Sequence, residues 1–333
     1  MLSLDDRRAL VAEASRAPSA HNAQPARWRF EEPDRLVLLE ALGSRLSVAD
    51  PAGRDARMGL GAALEGMVLA LSRRGLGITD LRRLDRPGNR TPESATEVVA
   101  TARIVTRQSR DSLAERVPER RTFRGRFNGA QAEVDGLKAF VAARPDLLLI
   151  HDRPHVDELA RLHDRASARF FQRGGYAREL CAWLRLSPDH PRWAMDGLNA
   201  ESLALSGSEA WAARMIMRPT LLRALTSARL IRLVVSEAAT TRSATGVLVL
   251  TAEAHDAFEA GRLLYRRWLE LDQAGWSACP MSALVDDEGA ARRVRGLGGL
   301  PAGAPLASVL RVGRVGEGAA QRSPRLPPEE LLL

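Results

Sequence analysis

Lysine is nearly absent from this sequence: Lys138 is the only one, although Lys and Arg together number 49. No Gly-Lys dipeptide occurs, which excludes a P-loop nucleotide site. A Schiff-base enzyme would have to use Lys138, which lies in an amphipathic stretch that predicts an exposed helical position. The net charge of +8 comes from arginines dispersed among Asp and Glu. That pattern is typical of an arginine-biased genome rather than a basic binding face, so we expect no nucleic-acid partner.

Cysteine and clustered histidine are also scarce. Cys181 and Cys279 are too few for a disulfide scaffold or a cysteine metal site, and they fit a reducing compartment. His151 and His155 are separated by a proline, and no His-Glu-x-x-His pattern occurs. We therefore expect no bound metal.

Long apolar runs are missing as well. The longest ones, such as residues 247–250, have the length of a strand and fall far short of the ~20 residues of a membrane span. The first seven residues carry acidic side chains where a signal peptide needs basic ones. These observations predict a cytoplasmic protein without a membrane partner.

Periodicity predicts alternating helices and strands. Apolar residues at helical or strand spacing indicate the following elements: helices at 4–15, 54–74, 131–143, 155–172 and 258–274, and strands at 35–40, 97–106, 147–150, 246–251 and 308–312. The proline-rich end of the chain predicts an extended tail. This order of elements indicates an α+β protein.

The two long helices are similar to each other at an offset of 200 residues. Five positions are identical: Gly61, Leu64, Leu69, Leu71 and Gly75 match Gly261, Leu264, Leu269, Leu271 and Gly275. Leucine and glycine recur in many amphipathic helices, but a long helix that ends the same way in each half favours an internal duplication.

Two short segments carry the chemistry. The Pro-Ser segment, residues 17–28, reads Ala-Pro-Ser-Ala-His-Asn-Ala-Gln-Pro-Ala-Arg-Trp. Its prolines favour extended backbone, and its hydroxyl and amide side chains can both donate and accept hydrogen bonds. The Arg-Arg segment, residues 119–127, reads Glu-Arg-Arg-Thr-Phe-Arg-Gly-Arg-Phe. Guanidinium groups bind phosphate in a bidentate manner, so this segment predicts an anion site. Alone, the first could be an ordinary turn and the second a solvated basic loop.

Together the segments resemble the two flavin-binding signatures of the FMN-dependent nitroreductase family, Pro-Ser-x-x-Asn-x-Gln-Pro-x-x-Trp and Arg-Arg-Ser-x-Arg-x-Phe. In ordinary members the Arg-Arg segment comes first, whereas here the order is inverted. The resemblance implies homodimers that place each FMN between subunits, with one signature from each. An inverted order in one chain resembles the internally duplicated, Acg-type branch, in which two fused halves form a pseudo-dimer.

That resemblance implies a nitroreductase-like α+β fold with central mixed sheets flanked by helices. The expected boundaries are 1–115 for the first half, 116–318 for the second half with a possible lid around 195–230, and 319–333 for the tail. One complete FMN site per chain and a monomer in solution follow from the fusion. The apolar face of residues 208–230 is either a plain core helix or the lid.

The resemblance assigns cofactor contacts residue by residue. The expected FMN-binding residues are Pro18, Ser19, Asn22, Gln24, Arg120, Arg121, Thr122, Arg124, Pro280, Met281, Ser282, Arg311 and Arg314. The family's loop after the second long helix carries a glycine that this chain lacks at residues 280–283. His21 is a candidate proton donor, although a histidine at such a position more often only makes hydrogen bonds.

In this family the bound flavin carries the chemistry, taking hydride from a nicotinamide cofactor and passing it to an electron-poor acceptor. The implied function is an FMN-dependent NAD(P)H oxidoreductase acting on nitroaromatics, quinones or related small molecules. Two alternatives stay open: a protein that sequesters FMN under a lid with little turnover, and a biosynthetic FMN-dependent dehydrogenase.

Overall fold

The computed structural model describes residues 2–84, 95–107, 109–128, 133–228, 230–252, 256–316 and 323–333, apart from the Leu233 side chain. The predictions for residues 131–132 and 319–322 lie outside this part. The helices are α1 Leu4–Ala14, α2 Arg54–Ser72, α3 Val134–Ala142, α4 Arg153–Phe170, α5 Tyr176–Trp183, α6 Gly207–Ile216, α7 Pro219–Ser227, α8 Ile231–Val234, α9 Ala238–Arg242, α10 Ala257–Gln273, α11 Ala283–Asp286, α12 Glu288–Leu297 and α13 Pro328–Leu331. The strands are β1 Ala26–Glu31, β2 Arg35–Ala41, β3 Leu76–Arg83, β4 Thr96–Thr106, β5 Leu147–Ile150, β6 Leu184–Arg185, β7 Leu198–Asn199, β8 Gly246–Thr251, β9 Ser277–Pro280 and β10 Leu306–Gly313.

Capping residues and glycines set several helix ends. Ser3 begins α1 with a capping box, in which its hydroxyl accepts from the Asp6 backbone N–H at 3.1 Å. Asp256 caps the first turn of α10 in the same way. After both long helices the chain turns at a glycine with positive φ, +70° at Gly75 and +77° at Gly275. Only glycine adopts this backbone without strain, which explains the matching ends.

Two four-stranded sheets have the same strand order. The first sheet runs β1-β2-β4-β3 and the second β5-β8-β10-β9. In each, two strands precede the long helix, the strand directly after that helix lies at one edge, and the last strand pairs beside it. All neighbours within both sheets are antiparallel. Single parallel bridges, Trp28 with Leu332 and Thr122 with Ala278, give the sheet edges their mixed character. The α+β class is confirmed.

Helices α2 and α10 cross at a contact that is reciprocal at the predicted offset. A Cβ added to Gly61 would lie 1.9 Å from the carbonyl oxygen of Phe258. A Cβ added to Gly261 would lie 2.0 Å from the carbonyl oxygen of Met58. Position 61 thus meets position 258, and position 261 meets position 58. The glycines allow the backbones of α2 and α10 to approach closely.

The tail crosses from the second sheet back to the first. Leu326 and Leu331 are buried in the apolar core that contains α1, β1 and α2. The backbone N–H of Leu333 donates to the carbonyl of Trp28 at 2.8 Å. Residues 323–333 therefore pack against α1 and the first sheet, and they include the helix α13 within the tail that was expected to be extended.

Residues 208–230 differ from the single core helix that was one expectation. Arg218-Pro219 separates α6 from α7, because proline cannot continue the preceding helix. Leu222 is buried, whereas 63% of Trp211 is exposed. The apolar pattern of the sequence did not reveal the strands β1, β3 and β9, because polar or charged residues interrupt it in each of them.

Candidate functional site

The Pro-Ser segment leaves α1 as a strained loop. His21, Asn22 and Gln24 have φ values of 47°, 54° and 48°, in the left-handed region that side chains with a Cβ rarely adopt. The hydroxyl of Ser19 accepts from the Gln24 backbone N–H at 3.0 Å and closes the loop. Such strain persists only where surrounding contacts enforce it, and it is concentrated at functional sites.

The amides of Asn22 and Gln24 hold two distant segments of the chain. Asn22 Nδ2 donates to the carbonyls of Gly197 at 3.1 Å and Pro324 at 3.0 Å. Gln24 Nε2 donates to the Met195 carbonyl at 2.9 Å, and its Oε1 accepts from the Leu326 backbone N–H at 2.9 Å. The two predicted flavin contacts thus fasten residues 195–197 and the tail over the loop.

An arginine cluster lies beside this loop. Its members are Arg16, Arg120, Arg121 and Arg325, joined by the hydroxyl residues Thr122 and Ser323 around a cavity of about 10 Å³. The Arg-Arg segment is thereby brought to the end of α1, to the Pro-Ser segment and to the tail, so the two predicted signatures meet.

Backbone carbonyls hold the cluster together. Arg120 Nη2 and Arg325 Nη2 both donate to the Arg16 carbonyl, at 2.9 and 3.2 Å. Arg325 Nη1 donates to Asn22 Oδ1 at 2.8 Å. Arg121 Nη1 donates to the carbonyls of Pro118 and Arg120. These contacts fix the guanidinium groups, and the carbonyls that Arg120 and Arg325 bind do not neutralise their charge.

Arg120 and Arg325 carry buried charge without a counterion. Within the described ranges neither forms an ion pair with a carboxylate, and Arg120 Nε and Nη1 and Arg325 Nε have no hydrogen-bond partner. Burial, together with the neighbouring Arg120 and Arg16, lowers the pKa of Arg325 to about 9. Burial likewise lowers the pKa of Arg120. Since an isolated buried charge is costly, the arrangement calls for an anion.

Two aromatic rings on α10 lie against the guanidinium group of Arg120. Its guanidinium carbon lies 4.6 Å from the centroid of the Trp268 ring and 5.6 Å from that of Tyr265. Both rings are essentially buried, at 1% and 0% exposure. A cation over an aromatic face is attracted by the ring quadrupole, which holds the charge without cancelling it.

A larger cavity of about 250 Å³ adjoins the cluster at Thr122. It lies between Thr122–Arg124 and the segment 201–206. Arg124 spans it, because its Nη1 donates to the Ser202 carbonyl at 2.7 Å. The cavity is therefore partly covered by the segment that follows β7.

His21 is a neutral imidazole. Burial, opposed by Glu179 and reinforced by Arg124, lowers its pKa to about 4. Its Nδ1 has no hydrogen-bond partner in the described chain. An imidazolium is thus absent at neutral pH, and a proton-donating role would have to use a neutral ring N–H.

Five of the predicted contacts lie on or next to the second sheet and do not line the cluster: Pro280, Met281, Ser282, Arg311 and Arg314. Met281 is fully buried in the core of the second unit, and its backbone N–H donates to the Val309 carbonyl at 2.8 Å. Pro280 ends β9, and Ser282 is exposed ahead of α11. The loop that lacks the family's glycine is thus folded into its own sheet.

Arg311 and Arg314 also serve other contacts. Arg311 is fully buried on β10, where its Nη1 donates to Glu237 Oε2 at 2.5 Å. Arg314 stacks over the Trp276 ring at 4.4 Å. Neither lines the arginine cluster. The basic residue from the C-terminal part of the chain that lines the cluster is Arg325, and the assignment of Arg311 and Arg314 as phosphate contacts stays a prediction.

Sequence reasoning missed four residues of this site: Arg16, Arg325, Tyr265 and Trp268. The tail was expected to be extended and contains a basic residue, so a signal for Arg325 existed. Tyr265 and Trp268 belong to an apolar helical stripe, and their contact with Arg120 depends on tertiary packing that no local pattern reveals.

Other kinds of site find no support in the described ranges. No group of His, Cys, Asp or Glu there is arranged to hold a metal ion. No helix of that part is long and apolar enough to cross a membrane.

Comparisons with known proteins bear on the family. No protein-family model matches the chain. Two Mycobacterium tuberculosis proteins, from strains CDC 1551 and H37Rv, carry the provisional name NAD(P)H nitroreductase and are 30% identical over 178 residues. The matched region is 53% of this chain and 50% of each relative, so the chain spans about half the length of the curated relatives it matches.

Solved structures are more distant. The FMN-dependent nitroreductase NfnB from Mycobacterium smegmatis, in complex with NADPH, is 20% identical with a TM-score of 0.39, covering 66% of this chain and 96% of that one. A provisionally named nitroreductase from Anabaena variabilis is 12% identical with a TM-score of 0.44, covering 95% and 74%. TM-scores below 0.5 carry no inference about this chain. The sequence relatives support the predicted resemblance: over 178 residues, about half of its length, this chain is similar to proteins that carry the nitroreductase name.

Proposed function

We propose that this protein is an FMN-dependent oxidoreductase that takes hydride from NAD(P)H and passes it to an electron-poor small molecule. The sequence relatives named as NAD(P)H nitroreductases support the reaction class. The observation that carries the proposal is the buried arginine cluster beside the strained Pro-Ser segment. Nitroaromatics and quinones are the acceptor classes that the resemblance implies.

The cluster matches the phosphate end of FMN in charge and in hydrogen-bond donors, and its cavity of about 10 Å³, the size of one water molecule, must open to admit the group. A phosphate dianion offers acceptor oxygens and negative charge, which match the unpartnered nitrogens of Arg120 and Arg325. The hydroxyls of Thr122 and Ser323 lie in the same lining and can donate to the same group. Arg121 adds a further positive charge. Anion binding would also relieve the repulsion that lowers the pKa of Arg325.

The ring end fits only in part. The adjoining cavity of about 250 Å³ offers Arg124 and the segment 201–206 to a bound group. Asn22 and Gln24 could turn to a ring only by releasing residues 195–197 or the tail. We therefore propose that the segment from 195 onwards acts as a cover, consistent with the lid expected around 195–230.

The chain's own residues would bind, orient and shield. FMN, when bound, supplies reversible hydride acceptance, which no side chain can provide. The arginine cluster holds the phosphate, while Arg124 places positive charge near developing negative charge. His21 stays neutral and can donate or accept one hydrogen bond. The cover excludes water from the site.

We further propose an internal duplication with one site per chain. Two sheets of equal strand order and the reciprocal contacts of Gly61 and Gly261 support fused halves. Each signature occurs once, so a single complete site follows. The α2–α10 crossing already buries the face that would pair two subunits, and we expect a monomer of 36.3 kDa by light scattering.

A second candidate is an FMN-sequestering protein with little turnover. The observation that favours it is the fastening of residues 195–197 and the tail by the buried amides of Asn22 and Gln24. A cover held this firmly would slow the exchange of substrates. No contact among the described residues specifically favours the third alternative, a biosynthetic FMN-dependent dehydrogenase.

Anaerobic mixing of the purified flavin-loaded protein with NADPH tests the proposal. We expect the absorbance of the oxidised flavin at about 450 nm to bleach. It should return when a quinone or nitroaromatic is added, by the hydride chemistry of flavins. Flavin that stays bound and oxidised for hours would favour sequestration. A protein that cannot be loaded with FMN would refute the proposal.

A further inference from the structure

The two long helices treat arginine differently at equivalent positions. The reciprocal contacts of Gly61 and Gly261 relate residue 65 of α2 to residue 265 of α10. Position 65 is Glu and position 265 is Tyr, both buried at 2% and 0% exposure. Each residue contacts arginine: Glu65 contacts Arg262 and Arg266, and Tyr265 contacts Arg120. The two positions can therefore be compared within one chain.

Glu65 neutralises its arginines. Its Oε2 accepts from Arg262 Nε at 3.0 Å, and its Oε1 accepts from Arg266 Nη1 at 2.7 Å. Asp111 pairs with the other end of Arg266 at 2.9 Å. This group of arginines is therefore matched by carboxylates and has no charge left for a ligand.

Tyr265 supports Arg120 without neutralising it. Its ring lies against the guanidinium together with Trp268. Its hydroxyl meets no strict hydrogen-bond geometry in the described chain, but it interacts electrostatically with Arg120. Gly66, one residue beyond position 65, brings α2 close to α1 and to this ring: a Cβ there would lie 3.0 Å from the Ala14 carbonyl oxygen and 3.4 Å from Tyr265 Cε1. The ring attracts the cation but carries no formal charge.

We propose that Tyr265 is the positioning residue that keeps Arg120 buried, oriented and uncompensated, so that the cluster selects a ligand with a terminal phosphate. The contrast between Glu65 and Tyr265 then determines which of the two arginine groups in the pseudo-dimer binds an anion. This inference rests on the proposed function, because its ligand is the phosphate end of FMN.

Substitutions at position 265 separate charge from shape. Tyr265→Glu places a carboxylate beside Arg120, as Glu65 does for Arg262, whereas Tyr265→Gln has the same size and no charge. We expect Tyr265→Glu to bind FMN about thirtyfold or more weakly than Tyr265→Gln, because a buried carboxylate both neutralises Arg120 and repels phosphate. Riboflavin, which lacks the phosphate, should bind both variants within about threefold, because the added charge acts on the phosphate alone.

Tyr265→Phe and Tyr265→Leu test the ring itself. Phe keeps the aromatic face and should bind FMN within about threefold of wild type, since it loses only the polar contact of a neutral hydroxyl with Arg120. Leu removes the ring and should weaken FMN about fivefold or more without a matching loss for riboflavin. The matched control is Tyr176→Phe, at the other tyrosine of the chain, which packs against Phe170 and Phe171 away from the cluster.

Titration of each apo protein with FMN and riboflavin, followed by flavin fluorescence, gives the measurement. Equal FMN affinity in Tyr265→Glu and Tyr265→Gln overturns the inference while leaving the proposed function intact. If Tyr265→Glu does not fold, the comparison of Phe with Leu decides, and equal FMN affinity for these two overturns it. A wild type that binds FMN no better than riboflavin overturns both the inference and the phosphate assignment.

Discussion

Removal of the Arg120 charge should weaken FMN through its phosphate alone. Arg120 is 5% exposed, and two of its nitrogens have no partner in the described chain. Arg120→Met keeps a long side chain on the Tyr265 and Trp268 rings while removing the charge. A hydrogen bond to a charged group contributes about 1.5–3 kcal/mol. The expected loss is about tenfold to hundredfold in FMN affinity, since about 1.4 kcal/mol corresponds to one decade.

The same loss should appear in thermal stability. FMN at one hundred times its wild-type Kd stabilises the folded state by about 2.7 kcal/mol through mass action. At that same concentration a variant with tenfold weaker binding gains about 1.4 kcal/mol, and one with hundredfold weaker binding about 0.4 kcal/mol. Scanning calorimetry with and without FMN therefore gives a second estimate that is independent of fluorescence.

Riboflavin and a matched surface variant provide the controls. Riboflavin should bind wild type and Arg120→Met almost equally, because neither complex contains a phosphate. Arg293→Met removes an arginine whose side chain is half exposed and paired with Glu158, so it should leave both affinities unchanged. If Arg120→Met weakens riboflavin as much as FMN, then Arg120 is structural and the phosphate assignment is refuted.

Three further predictions follow from the same contacts. Gly261→Ala should destabilise the protein by about 3 kcal/mol in urea unfolding, because its Cβ would overlap the Met58 carbonyl, whereas Gly296→Ala, with open space around it, should not; equal stability of the two would contradict the crossing. Glu65→Gln should cost about 3 kcal/mol, since Arg262 and Arg266 lose a shared buried carboxylate, and an unchanged urea midpoint would show that the ion pairs contribute nothing. His21 has a folded pKa of about 4 and an ordinary unfolded value, so stability should fall as pH decreases from about 6.5 towards 4; His21→Asn, which tolerates positive φ, should flatten that fall, and an identical pH profile would refute a buried neutral imidazole.

Local signals predicted the elements whose pattern is long and regular. The stripe of α2 and α10 and the glycines after them gave both long helices and their equivalence, because a buried helical face repeats every three to four residues. The four-residue strand β9 was missed because Ser-Ala-Cys-Pro shows no apolar pattern, whereas the equally short β5, Leu-Leu-Leu-Ile, is apolar throughout. Within residues 208–230 the apolar face favours a single helix, whereas Pro219 begins a second helix after Arg218.

Prediction of the candidate site had the same limit: local segments were found, and contacts set by tertiary packing were not. The two segments that resemble family signatures were found, and the structure brings Arg120, Arg121 and Thr122 to the loop of Ser19 and Asn22. Arg311 pairs with Glu237 through the packing of α9 against the second sheet, a contact that no local pattern reveals. Arg325 was missed because tertiary contacts alone place the tail beside Asn22. Sequence shows which residues are suited to bind an anion, while long-range packing brings Arg16, Arg120, Arg121 and Arg325 together.

The identity and amount of flavin released from the purified chain test the central claim most directly. The reconstituted protein would be denatured by heat, and the released flavin identified by chromatography and quantified against chain concentration. The account predicts FMN at about one equivalent per chain, since a dianion held by several arginines in a buried site exchanges slowly. Two equivalents, FAD, or no retained flavin would contradict a single phosphate-binding site formed by the Arg-Arg segment, the Pro-Ser segment and the tail.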